Sequence, residues 1–209
     1  MVLGIAVAVV LLVVAGIFGK LYLDYIEQPG KGPGEQPVAQ CNLSSGLRQL
    51  ARVSSFRLAI PPATARTMKH SSCVWEQTAG KDGKDTRGLR IHVYDYRDAN
   101  RTRVRNLEQA KGTYTSYAKS PVISDRGRPL EGTAEEATFV LPSGGKADLT
   151  EVDLVARKGE VVHLIAYFGH DKGLFSNSEF PTADAEDVVR KVAEELVAEQ
   201  PARNSPTQN

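Results

Sequence analysis

The sequence predicts an α+β fold: an antiparallel sheet with helices packed on one face, preceded by one transmembrane helix. Three observations predict it. Met1 to Gly19 carry no charged side chain. Between residues 72 and 168, several segments alternate apolar and polar residues with the period of two that a half-buried strand needs. Segments after Asp98 and after Thr182 instead repeat apolar residues at helical spacing. The chain of 209 residues divides into an anchor (1–26), a Gly/Pro-rich tether (27–40), one extracytoplasmic domain (41–200) and a loose tail (201–209).

Composition sets the outer bounds. A domain of about 160 residues can bury roughly 70% of its unfolded surface and needs no metal to fold. The net charge of +1 gives no overall pull towards nucleic acid, and 24% charged with 41% hydrophobic residues is ordinary for a globular chain. Two cysteines cannot make a four-cysteine zinc site, and the histidines show no matching spacing. No metal or cofactor is expected.

The first nineteen residues, as a helix, span about 28 Å, which just crosses a bilayer core. Lys20, Tyr22 and Tyr25 follow where interfacial residues belong. A cleaved signal peptide is the rival reading. Cleavage after Val13-Val14-Ala15 would leave the apolar Gly16-Ile17-Phe18 at the new terminus, and no basic region precedes the run. A retained anchor fits better. Lys20 and Lys31, counted alone, would keep the C-terminal side in the cytoplasm. Asp24, Glu27 and Glu35 offset them, and the cysteines are placed to pair, so the domain is read as lying outside. Residues 28–40 are rich in glycine and proline, which makes them an extended tether.

Cys41 opens the domain, and Cys73 sits at the start of its first clear strand, beside the only tryptophan, Trp75. With two cysteines, each at an element boundary, one connectivity exists: Cys41 to Cys73. Two buried free thiols in a reducing compartment are the alternative. Asn42 or Ser44 caps a short helix with Leu43, Leu47 and Leu50 on one side. Residues 53–60 are ambiguous, and Pro61-Pro62 is expected to end them. Cys73 to Thr78 and Leu89 to Tyr94 alternate around the polar tip Gly80 to Asp85, which predicts a hairpin.

Asp98 is placed to cap a long helix with Val104, Leu107, Ala110, Tyr114 and Tyr117 on one stripe and Gly112 inside it. Ala134 to Leu141 reads as a strand. Leu149 to Ala156 and Val161 to Phe168 are the strongest strands, joined by a tight turn at Lys158-Gly159. The second is apolar on both faces and so belongs at the centre of the sheet. Thr182 caps a last helix with acidic residues at its start and a stripe of Val188, Val189, Val192, Leu196 and Val197.

This layout resembles a family of actinobacterial secreted or lipid-anchored envelope domains of unknown function. The matching residues are Cys41 and Leu43 in a Cys-x-Leu start and Cys73 and Trp75 in a Cys-x-Trp strand. The later match is looser, through Gly132 to Phe139, the Arg157 to Gly159 turn and Val188 to Val197. The resemblance implies an antiparallel sheet with helices packed across it, a PsbP lipoprotein-type fold, and no catalytic residues. The chain lacks the cysteine that carries lipid in the lipoprotein members.

No stretch forms His-Glu-x-x-His, Gly-x-Ser-x-Gly or a phosphate loop. His92 and His163 fall within strands, and His70 stands just before one. His170-Asp171 falls in a loop, where sequence neighbours rarely face each other as base and carboxylate. Glu135-Glu136 and Glu194-Glu195 are adjacent pairs that point apart. The sharpest polar feature is basic: Arg97, Arg101 and Arg105 recur every four residues, with Arg103, Lys111 and Lys119 nearby. On a helix the first three would share a face able to meet anionic lipid or wall polymer. The functional expectation is a non-catalytic binding or scaffolding module at the cell envelope, in contact with the membrane and with anionic lipid, wall polymer or an envelope protein. A hydrolase or transferase acting on envelope polymers and an accessory or sensor subunit of a membrane complex are the alternatives.

Overall fold

The computed structural model describes residues 2–26, 34–65, 68–77, 86–97, 101–119, 127–140, 149–173 and 176–199, with the side chains of 2–9, 24–26 and 64–65 left aside. Helix α1 (Val2–Ile26) comes first. The side chains described on it, residues 10–23, are all exposed, so they add nothing to a core. Among the described residues no helix is long and apolar enough to cross a membrane. The expected span needs side chains from residue 2 onward, and those of 2–9 lie outside the described residues, as do 27–33 of the tether and the whole tail 201–209.

The folded body begins earlier than Cys41. Gly34 bridges Phe56, the Glu35 amide donates to the Phe56 carbonyl at 2.8 Å, and Val38 packs against the core. Gly34 and Glu35, read from sequence as tether, therefore lie along the first strand. A 3-10 turn at Ala39–Cys41 leads to α2 (Ser45–Leu50), whose Ser44 hydroxyl accepts from the Leu47 amide at 3.3 Å. Leu43 and Leu47 are buried, but Leu50 is 40% exposed.

The strands are β1 (Val53–Ala65), β2 (Met68–Gln77), β3 (Thr86–Asp95), β4 (Arg128–Pro129), β5 (Glu136–Val140), β6 (Thr150–Lys158), β7 (Val161–Lys172) and β8 (Asn177–Ser178). They form an antiparallel sheet in the order β1-β2-β3-β7-β6-β5-β4, with β8 paired to β7. The central place of β7 agrees with its two apolar faces. The ambiguous segment is a strand, and Pro61-Pro62 does not end it. β1 is an edge strand with register shifts near its prolines, where a missing N–H breaks no ladder. The tight turn between β6 and β7 turns on Gly159, at φ 55°.

The remaining helices are α3 (Arg103–Ala118) and α4 (Thr182–Ala198). They correct one expectation: helices cover both faces of the sheet, not one. Even-numbered residues of β6 and odd-numbered residues of β7, among them Val152, Leu154, Ile165 and Tyr167, pack with Trp75, Ile91, α2 and the Val188, Val189, Val192, Leu196 stripe of α4. The opposite parity, Val155 and Val162, packs with Val140, Tyr96 and the Ala110 and Ala118 side of α3. The physical reason lies in β7. A strand apolar on both faces must be covered on both, and one layer of helices can cover only one.

The register of α3 also differs. Its cap is Thr102, whose hydroxyl accepts from the Arg105 amide, while Asp98 lies outside the described residues. The buried positions are Asn106, Ala110 and Ala118, and Val104 points outward. Gly112 causes no break. In α4, Thr182 is the first helical residue, and the cap position, Pro181, makes no side-chain bond.

Candidate functional site

Cys41 and Cys73 are joined in a disulfide, with both residues fully buried and their Cα atoms 6.2 Å apart. Trp75 lies beside it, 1% exposed, and its indole N–H donates to the Cys41 carbonyl at 3.1 Å. The bridge and this hydrogen bond pin the first turn of the domain to β2.

Beyond this, three gatherings of polar groups stand out among the described residues. The first is a cleft of 170 Å³ at the end of the sheet where β3 stops, lined by Gln40, Val93, Asp95, Arg97, His163 and Glu199 among others. Strand alternation carries the buried row Leu89, Ile91, Val93 on to Asp95. Asp95 holds Arg97 in a fork, with Nε to Oδ1 at 2.9 Å and Nη2 to Oδ2 at 2.7 Å. Burial alone would raise the Asp95 carboxyl, but the hydrogen bonds and charge of Arg97 outweigh it and hold it below the usual range. His163, opposite Val93, is 3% exposed, and its Nδ1 is buried with no hydrogen-bond partner. Burial pushes its pKa down to about 4, with Arg97 acting in the same sense and Asp95 against it. This is a neutral core histidine.

The second place lies on the opposite face of the sheet, where His70, His92 and Tyr94 meet in the β2–β3 register. The third is the start of α3. Arg103 and Arg105 are exposed there around Val104, itself 66% exposed, while Arg101 donates to Gln109 at 3.2 Å.

The arginine set predicted as one helical stripe is thus divided. α3 begins at Arg103, so Arg97 and Arg101 precede it, and Arg97 is engaged by Asp95. His170 and Asp171 do not work as base and carboxylate. Asp171 pairs with the buried Arg87, whose guanidinium also donates to the His170 carbonyl at 2.7 Å and lies 4.0 Å over the Phe180 ring. Glu135 and Glu136 both bind the buried Arg157. Sequence reading passed over Asp95 and Asp153. Continuing the strand alternation finds Asp95 on the buried row, but nothing local shows what covers Asp153.

No family model matches the chain, and no curated protein does. Among solved structures, the chain is similar to the crystal structure of the extracellular domain of PknH from Mycobacterium tuberculosis, at 11% identity over 78% of this chain and 98% of that one, with a TM-score of 0.37. A likeness that faint carries no argument about fold or function. No family model supports the resemblance to actinobacterial envelope domains, and the PsbP lipoprotein-type fold finds no support.

Proposed function

We propose that this protein is a membrane-tethered extracytoplasmic binding module without chemistry of its own, which meets an anionic surface of the envelope through the start of α3. The observation that carries the reading is the Cys41–Cys73 bond, buried where the tether meets the sheet. Disulfides of this structural kind persist in oxidising compartments outside the cytosol. The exposure of every described side chain from residue 10 to residue 23 supports an anchor, because an apolar helix that buries nothing in its own domain needs another apolar phase. The exposed Val104, set among Arg101, Arg103 and Arg105, supports a lipid surface. Interfacial contacts pair an apolar side chain with cations that reach anionic headgroups.

Protease added to intact cells is expected to remove the domain and leave the anchor. Full protection, with both thiols reactive, would place the domain in the cytoplasm. For the surface, residues 34–199 are mixed with vesicles of phosphatidylserine or phosphatidylcholine. Binding is expected to the anionic vesicles and to weaken as salt shortens the Debye length from about 10 Å to about 3 Å. Changing Arg101 and Arg105 to Glu removes about 1 kcal/mol or more per site. Equal binding by the variant makes the arginines a solvated face. Binding to wall polymer with none to vesicles changes the partner.

A further inference from the structure

His70 and His92 stand on neighbouring strands, His70 opposite Tyr94 and His92 opposite Ser72. His70 Nε2 and His92 Nδ1 are 3.3 Å apart. The ring centroids are 5.6 Å apart and the planes lie within 14°, so the two nitrogens face each other across the gap. A single proton fits between them, donated by one ring to the lone pair of the other. The pair is held in place. Tyr94 stacks on the His70 ring at 4.6 Å with planes 1° apart, and its hydroxyl is tied to that of Tyr117 on α3 at 2.8 Å. Both histidines are partly exposed, on the part of the sheet beside α3.

We propose that His70 and His92 form a two-imidazole site for a divalent transition-metal ion, Cu²⁺ most tightly, with the ion bound beside the line between the two nitrogens and the proton the rings share moved to the far nitrogen of the ring that donated it. Two nitrogens bound side by side on one ion at about 2.0–2.1 Å lie roughly 2.8–3.4 Å apart, from square to tetrahedral angles. The observed 3.3 Å lies at the tetrahedral end of that range, and the square arrangement of Cu²⁺ draws the two nitrogens slightly closer. Each ring turns by roughly 35–45° to bring its lone pair from the other nitrogen onto the ion. Sheet register, rather than a loop, sets the spacing. Imidazole binds such metals only when neutral. Among the described residues no three or more His, Cys, Asp or Glu side chains gather for a metal, so water completes the shell. Imidazole ligands and the order of divalent affinities favour Cu²⁺ over Ni²⁺ and Zn²⁺.

The test uses the full chain in detergent micelles, titrated with Cu²⁺, Ni²⁺, Zn²⁺ and Mg²⁺ separately. Calorimetry is expected to show tight binding of Cu²⁺, weaker binding of Ni²⁺ and Zn²⁺, and none of Mg²⁺. Electron paramagnetic resonance of the Cu²⁺ form is expected to show coupling to two nitrogens. His70→Asn and His92→Asn each lower the affinity by about tenfold or more and leave at most one nitrogen, while His170→Asn changes nothing. A double variant that keeps the wild-type affinity and two-nitrogen signal overturns the proposal. Side-chain nitrogen spectra of the wild type with Zn²⁺ give a test that needs no variant. The His70 and His92 signals move first if the site is right, and movement of His163 or His170 instead rejects it.

Discussion

Asp153→Asn is the most revealing single substitution. Asp153 lies on β6 between Ala166 of β7 and Val140 of β5, with Oδ1 buried and unpartnered. Burial, reinforced by Glu151 and opposed by Arg90, raises its pKa from 3.8 to about 7. Between those values the folded chain holds a proton that the unfolded chain has released. Its contribution to stability therefore falls as pH rises through that window. At about 1.4 kcal/mol per pH unit, the fall amounts to about 4 kcal/mol. His163 works in the opposite sense. Its pKa drops from 6.5 to about 4 in the folded chain, so its contribution is complete above pH 6.5 and is lost as pH falls to about 4. That loss is about 3 kcal/mol. The two windows overlap, and in the wild type the two contributions nearly cancel. Asp153→Asn removes one of them. The variant should be more stable than wild type by up to about 4 kcal/mol at pH 8 and about equal to it near pH 3.5. His163→Phe, compared with wild type in the same way, should show the opposite slope. Urea unfolding followed by Trp75 emission, across pH 3.5 to 8, measures both difference curves. If Asp153→Asn differs from wild type by the same amount at every pH, the carboxyl is not buried in its charged form and the reasoning fails.

Two other substitutions test how the sheet is held. Cys73→Ser is expected to lower stability by about 3–4 kcal/mol in the chain-entropy model, read as a shift of the urea midpoint; unchanged stability would make the bridge dispensable. Gly169→Ala would put a Cβ 2.0 Å from the Thr86 carbonyl oxygen, on backbone that cannot retreat without opening the β3–β7 ladder. It should cost about 3 kcal/mol and loosen amide protection along Thr86 to Leu89, and normal protection there would count against the close approach.

Much of this molecule was legible in the chain. Cys41 and Cys73 have only each other to pair with. The alternation around Trp75, Leu89 and Ile91 and the valine stripe of α4 are properties of one element each, read within a few residues. The two apolar faces of β7 located it in the middle of the sheet. Tertiary structure decided the rest. Which face α3 covers depends on how the chain crosses from β3, and no local pattern records that path, so one face was predicted where two are covered. The outward turn of Val104 and the inward turn of Asn106 follow from the same docking. The arginine spacing presumed a helix that starts only at Arg103, and Arg97 was captured by a strand residue, Asp95, instead. His70 and His92 were visible singly, but only the β2–β3 register brings their nitrogens together. By itself the sequence determined the main strands and helices, the buried side of α4 and the one possible cysteine pairing, because periodicity and a single possible pairing are local or combinatorial facts. The structure alone decided the layering, the burial of Asp153 and His163, and the histidine pair, because each depends on contacts between residues far apart along the chain.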